Sequence, residues 1–162
     1  MIRRAIDAAL LRREPYLEML LRRDGVADGA IVVATVHALL MIPWILDDVG
    51  VLLAARVILY GILNWIVLSG LVYLIGRYLL EGDGTFPGTM AATSIGHPVL
   101  LVGVLLAPFM HPLRAQLVVS IWLVATLWVA ARVALELPKS RAALAAVGGW
   151  VAFVVVSLLF RF

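Results

Sequence analysis

The chain contains no cysteine, carries little charge and has no extended polar stretch. The first absence excludes disulfides, thiol nucleophiles and thiolate metal sites, and leaves the redox compartment open. Charged residues make up 14% of the sequence and hydrophobic ones 64%, with a mean hydropathy of +1.09, whereas a soluble domain is roughly half apolar and about a quarter charged. A chain of 162 residues with this composition is an integral membrane protein, and the intervals between its apolar runs leave no room for a separate soluble domain. The first 25 residues are charged and lack an apolar run followed by a small-residue cleavage site, so a cleavable signal peptide is not expected.

A bilayer core about 30 Å thick requires roughly 20 mostly apolar residues per helix. Uncharged apolar runs at about residues 27–46, 57–78, 89–108, 117–135 and 142–160 predict five spans. Turn signals separate them: Asp47-Asp48-Val49-Gly50, the stretch from Glu81 to Gly88, Met110-His111-Pro112-Leu113-Arg114, and Leu137-Pro138-Lys139-Ser140-Arg141. With the N-terminus cytoplasmic, that side holds Arg3, Arg4, Arg12, Arg13, Arg22, Arg23, Arg77, Arg132, Lys139 and Arg141. The opposite side holds only Arg56, Arg114 and Arg161. The positive-inside bias therefore predicts N-in and C-out. The net charge of +3 follows largely from this orientation and gives no support for nucleic-acid binding.

Residues 1–25 read as a cytoplasmic arm preceding a five-helix unit over 26–162. Ile2, Ala5, Ile6, Ala9 and Leu10 recur at helical period while Arg3, Arg4, Asp7, Arg12 and Arg13 are polar, which suits a helix in the headgroup region. Pro15 favours a second helix starting there and burying Tyr16, Leu17, Leu20 and Leu21. The arm either docks a partner or anionic lipid, or only anchors the bundle.

"LLEGDGTFPGTMAATSIGHP", residues 79–98, raises the question of chemistry. A phosphate-binding glycine loop needs a strand-to-helix turn and usually a lysine; here Gly82-Asp83-Gly84 follows an apolar helix and no lysine is present. A calcium loop needs oxygen ligands at alternating positions, and only Glu81, Asp83 and Thr85 are on offer. The turn reading is simpler: Gly82 and Gly84 would supply positive φ at the helix exit, Thr85 would cap the next helix, and Phe86 would sit at the interface.

With its following span, "RYLLEGDGTFPGTMAATSIGHPVLL" resembles the prokaryotic branch of the Yip domain family, the Ypt-interacting membrane proteins. The features that carry the resemblance are Gly82-x-Gly84-Thr85-Phe86, then Thr89, Ala92, Ser94 and Pro98. The Trp-bearing run "IWLVATLWVAARVALELPKSRAALAAVGGW" fits the fourth span of that family. The resemblance covers about residues 27–160. It implies five membrane helices with a cytoplasmic N-terminus, Pro98 as a structural kink, and no catalytic residues. Eukaryotic members look like adaptors for Rab-type GTPases in vesicle traffic; the long cytosolic N-terminal region on which that binding is thought to depend is not expected here.

Polar residues inside spans are costly and each is a functional candidate. His37 and Asn64 lie within the first two spans, and His97 precedes Pro98, whose missing N–H frees carbonyls that could form a polar notch with the imidazole. His111 reads as a solvated loop residue. Arg132 and Glu136, four apart, are expected to pair or to snorkel to the interface. No two-histidine helix motif with a third ligand and no hydrolase triad is visible, so no metal, cofactor or catalytic residue is expected. Ala142, Ala145, Ala146, Gly149 and Ala152 form a small-residue stripe suited to close helix packing, within the chain or against another subunit. Of the five tryptophans, only Trp44 falls near a span boundary; Trp65, Trp122, Trp128 and Trp150 are expected in the bundle or against a partner.

The expectation is an all-α, multi-pass bundle in a prokaryotic plasma membrane, non-enzymatic, acting as scaffold, adaptor or accessory subunit. Its partners would be membrane lipids and other integral membrane proteins or further copies of itself. The competing reading is a small transporter or oligomeric channel using His37, Asn64 and the His97-Pro98 break, although no duplicated motif divides the chain into two membrane repeats.

Overall fold

A computed structural model describes residues 2–42 and 51–160. Its elements are α1 (Ile2–Ala9), α2 (Arg13–Leu20), α3 (Gly25–Leu40), α4 (Val51–Leu74) running on into a π turn (Ile75–Leu79), α5 (Phe86–Ser94), a 3-10 turn (His97–Leu100), α6 (Leu101–Leu106), α7 (Pro112–Ala134) and α8 (Lys139–Phe160). No strand occurs among the described residues. Among the described residues four stretches are long and apolar enough to cross a bilayer, Val51–Leu79, Phe86–Leu106, Pro112–Ala134 and Lys139–Phe160, and α3 is a shorter apolar helix beside them. The molecule is an all-α membrane bundle.

The sequence places the first span at 27–46, but α3 occupies Gly25–Leu40. Positions 43–46, including Trp44, and the Asp47–Gly50 turn lie outside the described residues. The second span begins earlier than its uncharged run, so that Arg56 lies inside α4 and exposed. A single arginine with a long stem does not interrupt a helix whose other residues are strong helix formers.

One end of the bundle gathers Gly25, the π turn, the start of α5, the end of α7 and the start of α8. It is tied together by the Asp83 N–H donating to the Leu135 carbonyl at 3.0 Å and by Arg141 reaching the Leu80 carbonyl and Glu81 Oε2, both at 3.2 Å. We call this the arm end. From it, α8 lays Ala142, Ala145, Ala146 and Gly149 inward, all buried, against Leu68 and Val72 of α4 and Leu127 and Ala131 of α7. A Cβ on Gly149 would come within 2.5 Å of Val72 Cγ2. The small-residue stripe, with half-buried Ala152 at its far edge, is thus covered by the chain's own helices and is not open to a second subunit. Large apolar side chains such as Leu52, Leu105, Ile121, Leu144 and Leu158 face outward instead, as lipid-facing positions do.

The arm is part of the fold. Leu11 adopts φ 60 and reverses the chain, so α1 and α2 form a helical hairpin, joined by Arg12–Asp7 and Arg4–Glu18 ion pairs, both 2.8 Å. Tyr16, fully buried, donates its hydroxyl to the Ala8 carbonyl at 3.0 Å, and burial pushes its phenol pKa up. The hairpin seats Ala8 and Tyr16 among Ala92, Ile95, Val129, Ala130 and Val133. The Trp122 indole donates to the Ala9 carbonyl at 2.7 Å. Trp122 lies twelve residues before Ala134, so the hairpin tip reaches about 18 Å along α7 from the arm end. A helix resting only in the headgroup region would stop at the rim. Helix α2 begins at Arg13, two residues before Pro15, and stops at Leu20; Leu21 therefore caps it and is 81% exposed rather than buried.

Candidate functional site

The third span is broken. Thr85 caps α5, accepting the Gly88 N–H at 3.2 Å, with Pro87 in the first turn where its missing N–H costs nothing. The helix then stops at Ser94, and the chain turns through Gly96 and His97 into a 3-10 turn containing Pro98. Two local features drive the break: Pro98 has no N–H to donate, and Thr93 and Ser94 return their hydroxyls to the Met90 and Ala91 carbonyls at 3.1 and 2.7 Å. Gly96 lets the turn approach α7; a Cβ there would stand 2.6 Å from Thr126 Oγ1.

Around this break lies a polar seam. Trp65 of α4 donates its indole N–H to Thr93 Oγ1 at 3.1 Å and to the Met90 carbonyl at 3.2 Å, and Ser69 Oγ is 2.7 Å from Thr93 Oγ1. A hydroxyl has one proton and two lone pairs. Thr93 gives its proton to Met90 and accepts from Trp65 and Ser69, so it is fully used. Trp65, Ser69 and Thr93 are all at most 1% exposed, and among the described residues no buried side-chain polar atom lacks a partner.

His97, buried, places Nδ1 3.2 Å from the Thr93 carbonyl. His37 of α3 does the same with the Val33 carbonyl at 2.9 Å. The two rings come together, their centroids 6.5 Å apart and their planes inclined at 45°. Gly61 of α4 closes on His37, since any Cβ there would overlap its ring. Asn64, half-buried on the same helix, takes no part in these bonds. Sequence reading names His37 and His97 separately; only the folding of α3 against the broken span makes them neighbours. It misses Thr93, Ser69 and the role of Trp65, although a Thr-Ser pair two residues before Gly-His-Pro was a visible sign of a helix about to open.

The Glu81–Gly84 loop corrects one expectation. The residue with positive φ is Glu81, at 59, and neither Gly82 nor Gly84 has one. Glu81 takes the left-handed position that closes the helix, with the Gly82 N–H returning to the Gly76 carbonyl at 2.9 Å. The glycines are required for closeness: a Cβ on Gly82 would be 2.9 Å from the Leu135 carbonyl oxygen, and one on Gly84 would overlap the Ala134 carbonyl. Arg77 binds the Gly82 carbonyl and Asp83 Oδ1, the latter at 3.0 Å. Phe86 packs on Tyr73 with ring centroids 5.8 Å apart. The loop is a brace between helix ends.

Arg132 and Glu136 do not pair. Helix α7 ends at Ala134 and Glu136 turns out at φ 55, while the Arg132 guanidinium stacks 5.4 Å over the ring of Trp128, whose indole donates to the Lys139 carbonyl at 2.9 Å. His111 is exposed and caps α7, accepting the Leu113 N–H at 3.3 Å. A cleft of about 580 Å³ at the arm end is lined by Arg22, Arg23, Val26, Ala30, Thr85 and Ala91, among others, with Arg22 paired to Asp28. Among the described residues no group of three or more His, Cys, Asp or Glu converges.

These features define a multi-pass α-helical membrane protein with a broken central span and a short helical hairpin docked beside it. The Yip1 domain matches residues 15–160, and the chain belongs to that family. The match takes in α2 from Pro15 onward as well as all the apolar helices. No curated protein and no solved structure matches the chain.

Proposed function

We propose that this protein is a non-enzymatic scaffold or accessory subunit that binds other integral membrane proteins through the outer faces of its helices. The observation that carries this reading is the asymmetry of the bundle. Helices α4 and α8 pack side by side, yet only 17% of an 18-residue apolar segment of each is buried, against 56% for that of the broken span and 39% for that of α7. Together they offer a broad apolar wall at one edge, while the polar groups are spent inside on holding the bundle. The small-residue stripe supports partner binding indirectly, by fixing α4 and α8 as one rigid surface. The arginine bias supports a cytoplasmic arm end and an external C-terminus in a prokaryotic plasma membrane.

The test is a mild-detergent pulldown of tagged protein with single photo-cross-linking residues at Leu63 or Leu144 on the wall, and at Leu117 or Ile121 on the outer face of α7. Stoichiometric membrane partners cross-linked from the wall are the expected result. Equal labelling of all outer positions by lipid alone, with no protein partner, would overturn the reading; a soluble GTPase recovered through the arm would replace it. The approach of His37 to His97 favours a second reading, an ion-handling bundle or oligomeric channel, which predicts flux in proteoliposomes that His37→Ala or His97→Ala abolishes.

A further inference from the structure

We propose that His37 and His97 form an intramembrane binding site for one monovalent soft cation, Cu(I), held between two imidazole nitrogens. The inference stands on the histidine geometry and is independent of the scaffold reading.

The tautomers come first. A backbone carbonyl can only accept, so the Nδ1 atoms lying 2.9 Å from the Val33 oxygen and 3.2 Å from the Thr93 oxygen must carry the protons. Each neutral ring then has its lone pair on Nε2, the edge turned away from its own helix backbone. An Nδ1–H bound to a carbonyl is the outer contact that orients metal-ligating histidines and makes them better donors. The hydrogen bonds that hold the two rings run through Nδ1.

Separation distinguishes a metal ion from a shared proton. With a metal–nitrogen distance of about 2.0 Å, each ring centroid lies about 3.2 Å from the ion, and two rings on opposite sides stand about 6.3 Å apart. Two imidazoles sharing one proton across a hydrogen bond would bring their centroids to about 5 Å. The observed 6.5 Å is too long for the second case and leaves room for the first, with each Nε2 turned to the ion. Linear two-coordination sets no torsion between the rings, so the 45° inclination is compatible with it.

Charge then selects the ion. Neither Val51–Leu79 nor Phe86–Leu106 contains an acidic residue, and the one acid of Gly25–Leu40, Asp28, lies nine residues before His37 and is paired with Arg22. A dication on two neutral ligands would keep its full charge in an apolar medium without a counterion, which is expensive. It would also lack the third and fourth ligands that zinc takes. Imidazole suits copper, a monovalent d¹⁰ ion is content with two donors, and the absence of cysteine leaves no thiolate to compete. The site is also held: Gly61 packs against His37, and His97 opens the 3-10 turn.

The experiment uses the full chain in mild detergent. Ag(I), a redox-inert analogue, is titrated by calorimetry, and Cu(I) is titrated anaerobically against a chromogenic chelator. One ion per chain is expected, with His37→Gln and His97→Gln each weakening affinity by about 100-fold and His111→Gln leaving it unchanged. X-ray absorption of the Cu(I)-loaded wild type should show two nitrogen neighbours and no sulfur; this reading needs no variant and decides the matter if the substituted chains fail to fold. No binding by wild type, affinity insensitive to both substitutions, or a sulfur neighbour would overturn the proposal. Loss of partners in the pulldown would leave it standing.

Discussion

Replacing Thr93 by valine removes one hydroxyl and almost no volume, so its effect isolates the polar seam. The hydroxyl accepts from Trp65 and Ser69 and donates to the Met90 carbonyl. In Thr93→Val the indole keeps the Met90 carbonyl at 3.2 Å, but the fully buried Ser69 hydroxyl loses its partner. Leaving a buried donor unmade costs about 1–3 kcal/mol. Ser69 can turn to the carbonyl four residues back, and interhelical hydrogen bonds in membranes average only about 0.6 kcal/mol, so the expected loss is about 1–2 kcal/mol. Ser69→Ala should cost less, under about 1 kcal/mol, because Thr93 still has Trp65 and Met90. The double variant should be no worse than Thr93→Val alone, giving a coupling at least as large as the cost of Ser69→Ala by itself. Reversible unfolding in mixed detergent and dodecyl sulfate micelles, followed by tryptophan fluorescence, measures all three. Strict additivity, or a neutral Thr93→Val, would show that the seam does not join α4 to the broken span.

In the loop, Gly84→Ala should destabilise by at least about 1–3 kcal/mol through overpacking against the Ala134 carbonyl. Glu81→Gly should change stability little or raise it by about 1 kcal/mol, by relieving its left-handed φ; the reverse ranking in the same unfolding assay would restore the turn-glycine reading. Because the chain has no cysteine, a single Leu11→Cys reports hairpin depth directly: in proteoliposomes it should resist a membrane-impermeant thiol reagent and become reactive in Trp122→Ala. Rapid labelling in the parent would place the hairpin on the surface. Tyr16 is a neutral acid stabilised by burial, so its folded pKa lies above the unfolded value. Its contribution is intact below about pH 10 and is lost as pH rises beyond it. Alkaline loosening of the arm should therefore disappear in Tyr16→Phe, read by the same thiol probe; an unchanged alkaline transition would assign it to another group.

Hydropathy alone determined that this is a helical membrane protein, and roughly where its apolar segments run, because a bilayer imposes a length and a polarity that no local context overrides. The cap at Thr85 and the break at Pro98 were equally legible, since each follows from the chemistry of one residue and its immediate neighbours. What needed the tertiary structure was everything decided by close approach. Gly82 and Gly84 look like turn glycines, yet they are glycines because the end of α7 presses on them, a neighbour fifty or more residues away in the chain. The alanine stripe was visible, but whether it met the chain or another subunit depended on which helix lay beside α8. His37 and His97 became a pair only when α3 folded across the broken span. Periodicity reports which face of a helix is apolar, and only packing decides what that face meets.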